Sequence, residues 1–244
     1  MAVVLHYFEC RSRGQALRFA LVGSGVDFED RRVPLEALTR WREKARDESL
    51  GGPFASLPVL DWDATRIAQT LAVASYLSEK LGIDERFGDP ETRAYQQMIV
   101  SAAHLDMQAP YSNLLWLPED VSDERLIDVA RKLLGKLTLK LHQLEALRAR
   151  QGDAGVFFGG LQPGMADYFV YESLDRACSV FGSIFEENLA VAPRLAKLRE
   201  MLRSDPGQQA YAKAGGVPAN VSGNSREFVI RERLSSLDLR ATAR

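Results

Sequence analysis

The chain has 244 residues, with 31 lysines and arginines against 33 aspartates and glutamates, and its formal net charge is −2. Hydrophobic residues make up 46% of the sequence and charged residues 26%, which is typical of a globular protein that buries a large core. This balance excludes an overall attraction to nucleic acid or to an anionic membrane, although a local basic patch stays possible.

The two cysteines, Cys10 and Cys178, are too few and too far apart in sequence for a disulfide framework, so free thiols in a reducing compartment are expected. The first residues, MAVVLHYFEC, lack a basic start and a long apolar stretch, and the pattern predicts no signal peptide. No stretch reaches the roughly 18 apolar residues that a membrane span needs. We therefore expect a soluble cytoplasmic protein.

The first third of the chain alternates strand and helix patterns. Residues 2–8 are β-branched and aromatic, as in a buried strand, and QALRFALVGSG has apolar residues at helical spacing before its glycines. Residues 26–34 predict a second strand, parallel to the first because a helical crossover joins them. A charged connection follows, then two short strands around an Asp63-Ala64 turn and an amphipathic helix in TLAVASYLSEKLG.

The pattern changes after residue 82. The polar segment GIDERFGDPE predicts a linker at 83–91, and the periodicity from there to about residue 214 is helical. Candidate helices cover 92–117, 122–150, 164–181, 191–203 and 205–214. The sequence thus predicts an α/β domain at 1–82, an all-helical domain at 92–214 and a tail at 215–244, in which REFVIRERLSSL can form a helix.

Two stretches resemble signature motifs of the cytosolic glutathione transferases. LHYFECRSRGQALRFALVGSGVDFED is similar to the N-terminus of the alpha, mu and sigma classes, with Tyr-Phe, a loop that ends in arginine and a helix with a second arginine. SLPVLDWDATRIAQTLAVASYL is similar to the second signature, in which a proline precedes a hairpin and a Gln-Thr pair opens a helix. The resemblance implies a thioredoxin-like domain followed by a helical bundle, with glutathione as co-substrate and no metal.

The resemblance also implies how glutathione would be held. Leu57-Pro58 would be a cis peptide, and the main chain of Leu57 would pair with the tripeptide as a strand would. Gln69 and Thr70 would bind the γ-glutamyl carboxylate at a helix N-terminus, which Thr70 could cap. The glycyl carboxylate would meet the long connection, where the candidates are Trp41, Lys44 and Arg46.

Tyr7 ends the first strand, at the edge where ligands of open α/β sheets bind. Its hydroxyl can donate a hydrogen bond to the thiolate of glutathione, which needs help because a thiol with a pKa of about 8.5 is little ionised at neutral pH. Arg13 takes the position of the alpha-class arginine, and its charge would favour both the thiolate and an acidified phenol. We predict that these residues catalyse conjugation of glutathione to an electrophilic, mostly apolar small molecule, a detoxification reaction.

Two alternatives stay open. Other classes of the family use a serine or a cysteine in this loop, so Ser12 or Cys10 could take the place of Tyr7. A Cys10 thiol with a lowered pKa would form a mixed disulfide with glutathione, and the protein would then be a thiol reductase. The other alternative is a dimer that binds glutathione or another ligand without turnover.

The remaining predictions concern the second substrate, the partner subunit and the helical domain. The pocket for the electrophile is predicted from Phe8, Ser12, Tyr111, Leu115 and Trp116, with Phe228 of the tail as a further candidate, and core packing is the alternative. The resemblance implies a homodimer, in which Phe54 would insert into the partner and Asp106 could reach the glutathione amine across the interface. GLQPGMADYFVYESL resembles the family's capping motif, with Asp167 kept and Gly164 in place of the capping Ser/Thr.

Overall fold

The computed structural model describes residues 2–37, 51–83, 89–152 and 155–240. Its N-terminal part is a mixed four-stranded sheet with helices, and the rest of the described chain is helical. The predicted fold class, a thioredoxin-like α/β part followed by helices, is confirmed.

The sheet has the strand order β2-β1-β3-β4. Strand β1 (Val3–Phe8) is parallel to β2 (Glu29–Val33) and antiparallel to β3 (Val59–Trp62), which forms a hairpin with β4 (Thr65–Ala68). β2 begins later than its predicted start at residue 26, and its sequence EDRRV is more polar than the residues before it. An edge strand tolerates such residues because one side of it faces away from the sheet.

Two helices pack against this sheet. Helix α1 (Gln15–Gly23) is the crossover between β1 and β2, and the apolar face expected from its spacing is buried. Helix α2 (Thr70–Lys80) follows β4 and buries Val73, Ala74 and Leu77. Burial of apolar surface contributes about 25 cal/mol per Å². It stabilises both helices far more than their intrinsic helix propensities do.

The helical part of the described chain contains eight further α-helices: α3 (Pro90–Ser101), α4 (Tyr111–Leu115), α5 (Asp123–Arg150), α6 (Met165–Phe181), α7 (Ser183–Ala190), α8 (Pro193–Ser204), α9 (Pro206–Lys213) and α10 (Glu227–Ser236). The predicted helix at 92–117 is in fact α3, a π-helical stretch at Ala102–Gln108, and α4. The break falls at Pro110, which has no N–H to continue the ladder. Helix α7 was missed because its eight residues carry few apolar repeats.

Helix α6 is buried along most of its length and connects the two parts of the chain. The carboxylate of Asp167 accepts hydrogen bonds from the N–H groups of Gly164, at 2.8 Å, and Phe158, at 2.9 Å. Gly164 has no side chain to complete the reciprocal cap, as expected from the sequence. One turn further along the helix, the ring of Tyr171 lies 4.9 Å from that of Phe19 in α1, so α6 packs directly against the α/β part.

Candidate active site

Three predicted motifs meet at one edge of the sheet. The strand register places His6 opposite Val59, and Val59 opposite Ala68. The last residues of β1, the residues that precede β3 and those that follow β4 must therefore lie side by side. These are Tyr7-Phe8, Leu57-Pro58 and Gln69-Thr70.

Tyr7 is buried at this edge and its ring is fixed on two sides. The guanidinium carbon of Arg18 lies 5.6 Å from the ring centroid, and Gly14 lies against the ring so closely that an added Cβ would overlap it. The N–H of Arg13 donates a hydrogen bond to the Tyr7 hydroxyl oxygen at 3.0 Å. Because the oxygen accepts this bond, its own proton is available to donate to a ligand.

The Tyr7 phenol is protonated at neutral pH. Burial raises the pKa of Tyr7 to about 12, and the electrostatic interaction with Cys10 also raises it. The hydrogen bonds from Ser12 and Arg13 and the charge of Arg13 lower it only in part. The charge of Arg13 therefore lowers the pKa of the phenol, as expected, but desolvation by burial outweighs it.

A cavity of about 630 Å³ opens beside Tyr7, large enough for a small-molecule ligand. Most of the predicted catalytic and electrophile-binding residues line it: Tyr7, Phe8, Ser12, Arg13, Leu57, Tyr111 and Trp116. Leu115 does not, because it is fully buried in the core, and core packing accounts for it. Phe228 is half-exposed outside this cavity and packs against Arg231, so its predicted place in the pocket was wrong.

Four of the predicted glutathione-binding residues, Leu57, Pro58, Gln69 and Thr70, lie at the same edge of the sheet as Tyr7. The Leu57-Pro58 peptide is cis, as the resemblance implied, and Leu57 lines the cavity. Gln69, Thr70 and Pro58 are not part of the cavity wall in the described chain. Trp41, Lys44 and Arg46 lie outside the described residues.

The first turn of α2 differs from the expected arrangement. Gln69, not Thr70, is the N-cap residue, and its side chain makes no capping hydrogen bond. Gln69 has φ 78°, a left-handed conformation that is uncommon for a residue other than glycine, and its Nε2 donates to Ser56 Oγ at 3.3 Å. Thr70 is the first residue of the helix and is buried.

Cys10 also lines the cavity but is a poor nucleophile. It is buried, and burial raises the pKa of the Cys10 thiol to about 12 despite the opposing charges of Arg18 and Arg176. A thiol with such a pKa is protonated at neutral pH and unreactive. Arg18 is buried as a structural residue, since its guanidinium donates to the carbonyls of Phe8 and Cys10 and to Asp30.

A buried ionic network lies behind the loop that follows β1, and the sequence motifs do not predict it. Nε and Nη2 of Arg11 donate to the carboxylate of Glu172 in α6, with a shortest distance of 2.6 Å. Arg176 donates to the same carboxylate at 2.6 and 2.9 Å and also to the carbonyl of Ser12. The network therefore ties the loop after β1 to the helical part, and its local signal in the sequence is the charged pair Glu172 and Arg176 at i, i+4 in α6.

The C-terminal tail forms another wall of the cavity. The N–H groups of Arg11 and Ser12 donate to the carbonyls of Asn220 and Val221, both at 2.8 Å, and Ser222 and Gly223 line the cavity. The buried carboxylate of Glu227 holds this turn by accepting from two of its N–H groups, at 2.6 and 2.7 Å. The loop-like composition of this segment gave no sign of that role.

Two residues assigned to the subunit interface are on the surface. Phe54 is 66% exposed and is therefore not a local core residue. Asp106 forms an ion pair with Lys140 of α5 at 2.9 Å.

His104 is buried, and its Nδ1 lies 3.3 Å from Gln108 Oε1.

The described ranges offer no candidate for a metal site or for a membrane-spanning helix. There, no three His, Cys, Asp or Glu side chains are grouped so that they could hold a metal ion. No helix that the structure describes is both long and apolar enough to cross a bilayer.

The mixed sheet, the cis-proline at its edge and the helices packed on α1 define the fold of the glutathione transferases. The Pi-class glutathione S-transferase of Onchocerca volvulus matches 92% of this chain and 100% of its own, with a TM-score of 0.72 and 22% identity. No protein-family model matches the sequence.

Sequence relatives agree with the fold. Glutathione S-transferase P 10 of Caenorhabditis elegans is 27% identical over 207 residues, which cover 85% of this chain and 89% of that protein. S-crystallin SL11 of Nototodarus sloanii is 22% identical over 211 residues, covering 86% and 94%. These similarities agree with the resemblance of the two sequence motifs to the cytosolic glutathione transferases.

Proposed function

We propose that this protein is a glutathione transferase of the tyrosine type, which adds the glutathione sulfur to an electrophilic carbon. The observation that carries the proposal is the buried, protonated hydroxyl of Tyr7 at the wall of a ligand-sized cavity. A protonated phenol can donate to a thiolate, and a hydrogen bond to a charged group contributes about 1.5–3 kcal/mol. The relatives named as glutathione S-transferases support the same reaction.

Glutathione would bind along the sheet edge. The main chain of Leu57 would pair with the tripeptide, and the γ-glutamyl carboxylate would lie at the N-terminus of α2, near Gln69 and Thr70. This places the cysteinyl sulfur at the Tyr7 hydroxyl, beside the exposed cation of Arg13. Trp41, Lys44 and Arg46 stay candidates for the glycyl carboxylate.

The reaction would then proceed by nucleophilic attack. The thiol proton of glutathione passes to solvent, and Tyr7 and Arg13 stabilise the thiolate that forms. The sulfur forms a bond to the electrophilic carbon, and the displaced group leaves with its electron pair. Phe8, Tyr111 and Trp116 would contact the electrophile on the far side of the sulfur.

The two alternatives receive unequal support. The raised pKa of Cys10 argues against a thiol reductase. Binding without turnover has one observation in its favour, the similarity to an S-crystallin, which does not carry a transferase name. The cytoplasmic location and the role in detoxification stay predictions.

Activity and binding assays with one variant separate these functions. We expect retention on immobilised glutathione and turnover of an aryl halide, with the rate of Cys10→Ala within about twofold of the unmodified protein because the thiol is protonated and unreactive. Retention without turnover would support the binding protein instead. Loss of activity in Cys10→Ala, with the fold intact, would support the reductase.

We propose that the protein forms a homodimer through Phe54 and one face of α3 and the π-helical stretch that follows it. Tyr95, Met98 and Leu105 are exposed at helical spacing on that face, and a contiguous apolar face of this kind is typical of an interface. The exposed Phe54 would insert between helices of the partner subunit.

Sedimentation equilibrium tests the dimer. The protein should sediment as a dimer, and Phe54→Ala should weaken association at least tenfold, because an inserted aromatic side chain is a typical interface hot spot. Phe228→Ala is the matched control, since it removes an exposed aromatic residue elsewhere. A monomer at all concentrations, or equal effects of both variants, would contradict the proposal.

A further inference from the structure

The cavity beside Tyr7 has an unbalanced charge. Two arginines, Arg13 and Arg176, line it, and within the described ranges no aspartate or glutamate does. Arg13 is accounted for by the thiolate of glutathione in the proposed function. Arg176, which comes from α6, has no role in that reaction.

The guanidinium of Arg176 is held rigidly and has N–H groups that donate to no protein atom in the described structure. Its side chain is 2% exposed, and Nε and Nη2 donate to Glu172 and to the carbonyl of Ser12. In the part of the chain that the structure describes, Nη1 of Arg176 has no hydrogen-bond partner. A guanidinium has five N–H donors in a fixed plane, so the unused edge is oriented before a ligand arrives.

Tyr111 provides a second unused donor at the same wall. Its ring is buried with the guanidinium carbon of Arg176 at 5.7 Å from the centroid, and its hydroxyl has no hydrogen-bond partner in the described structure. Burial raises the pKa of Tyr111, so the hydroxyl keeps its proton. An unpaired buried hydroxyl is destabilising, and an acceptor on a ligand would remove that cost.

The charges behind this wall do not cancel. Arg11, Arg176 and Arg199 share the two carboxylates of Glu172 and Asp175, through contacts of 2.6 to 3.0 Å. The nearby Glu227 is paired with Arg231. One positive charge is therefore left over, and the side of the network that faces the cavity is Arg176.

We propose that Arg176 and Tyr111 form a subsite for a carboxylate on the electrophile, so that the preferred second substrate is an acidic electrophile with an apolar body. The inference rests on the proposed function, because the position of the subsite is defined relative to a glutathione molecule whose sulfur lies at Tyr7. Arg176 would donate from Nη1 and Tyr111 from its hydroxyl, and the carboxylate would neutralise the excess charge. The aromatic walls at Phe8 and Trp116 would hold the rest of the molecule.

Product-like ligands test this subsite without turnover. Calorimetry should show that S-(carboxybenzyl)glutathione binds about tenfold more tightly than S-benzylglutathione, and that Arg176→Gln abolishes this preference while binding of S-benzylglutathione stays within about twofold. Tyr111→Phe should reduce the preference in part. That variant removes one hydroxyl and no ion pair, so it tests the subsite even if Arg176→Gln does not fold.

The control is Arg199→Gln, which removes a cation of the same network that does not line the cavity. It should leave the preference unchanged. Equal binding of both ligands to the unmodified protein, or a preference that survives in Arg176→Gln and Tyr111→Phe, would overturn the subsite. Failure of both ligands to bind would instead refute the glutathione site itself.

Discussion

Replacing Tyr7 with phenylalanine is expected to lower kcat about ten- to hundredfold and to leave KM for glutathione within about twofold. The hydroxyl contacts only the sulfur in the proposed complex, so its loss removes stabilisation of the thiolate and no other contact of the tripeptide. A hydrogen bond to a charged group contributes about 1.5–3 kcal/mol, and each 1.4 kcal/mol corresponds to a factor of ten. Steady-state kinetics with an aryl halide measure both constants.

The effect should depend on pH in one direction. Tyr7 stays protonated because its pKa is about 12, so the donor is present throughout the accessible range. The deficit of Tyr7→Phe should shrink as pH rises toward about 8.5, where the thiol ionises without help. Tyr171→Phe, a buried tyrosine that does not line the cavity, is the control and should keep its activity. Full activity of Tyr7→Phe at neutral pH would rule out the role of the phenol.

Glu172→Gln is expected to lower the free energy of unfolding by about 3–5 kcal/mol. The Glu172 carboxylate is fully buried between the guanidinium groups of Arg11 and Arg176. Breaking a buried pair in this way leaves uncompensated charges in a medium that cannot solvate them, which is far more costly than loss of an exposed pair. Urea denaturation, followed by circular dichroism, measures the change as a shift of the midpoint.

Asp128→Asn is the matched control. Asp128 lies on the exposed face of α5 and pairs with Arg125 and Lys132, both at 2.9 Å. Exposed pairs of this kind contribute about 0–1 kcal/mol, so this variant should unfold close to the unmodified protein. Similar losses in both variants, or none in Glu172→Gln, would show that the network does not join the two parts of the chain.

Much of the site was accessible from the sequence because its motifs are local. Tyr7, Arg13 and Gly14 lie within one strand-loop-helix segment, and the Leu57-Pro58 motif lies a fixed distance before the hairpin and α2. Hydrophobic periodicity over such segments predicts where the strands end. Ligands of open α/β sheets bind beyond those strand ends, so the position of the site can be predicted as well.

The rest could not be predicted because it depends on contacts between distant segments. Arg11 and Glu172 are 161 positions apart, and each looks like an ordinary surface charge in its own segment. The same holds for the tail, where Asn220 and Val221 pair with the loop that follows β1 although their sequence resembles a free loop. Conversely, Leu115 fits the pattern of a pocket residue but is buried in the core. Periodicity shows that one face of a helix is apolar and does not show whether that face contacts a ligand or another helix.

The most direct test of the account is the pKa of the glutathione thiol when it is bound. Ultraviolet absorption of the thiolate, followed as a function of pH in the complex, should give a pKa about two units below the free value of about 8.5. In Tyr7→Phe the bound thiol should return to about 8.5 with little change in the affinity for glutathione. A bound thiol with the same pKa in both proteins would contradict the claim that the Tyr7 hydroxyl stabilises the thiolate.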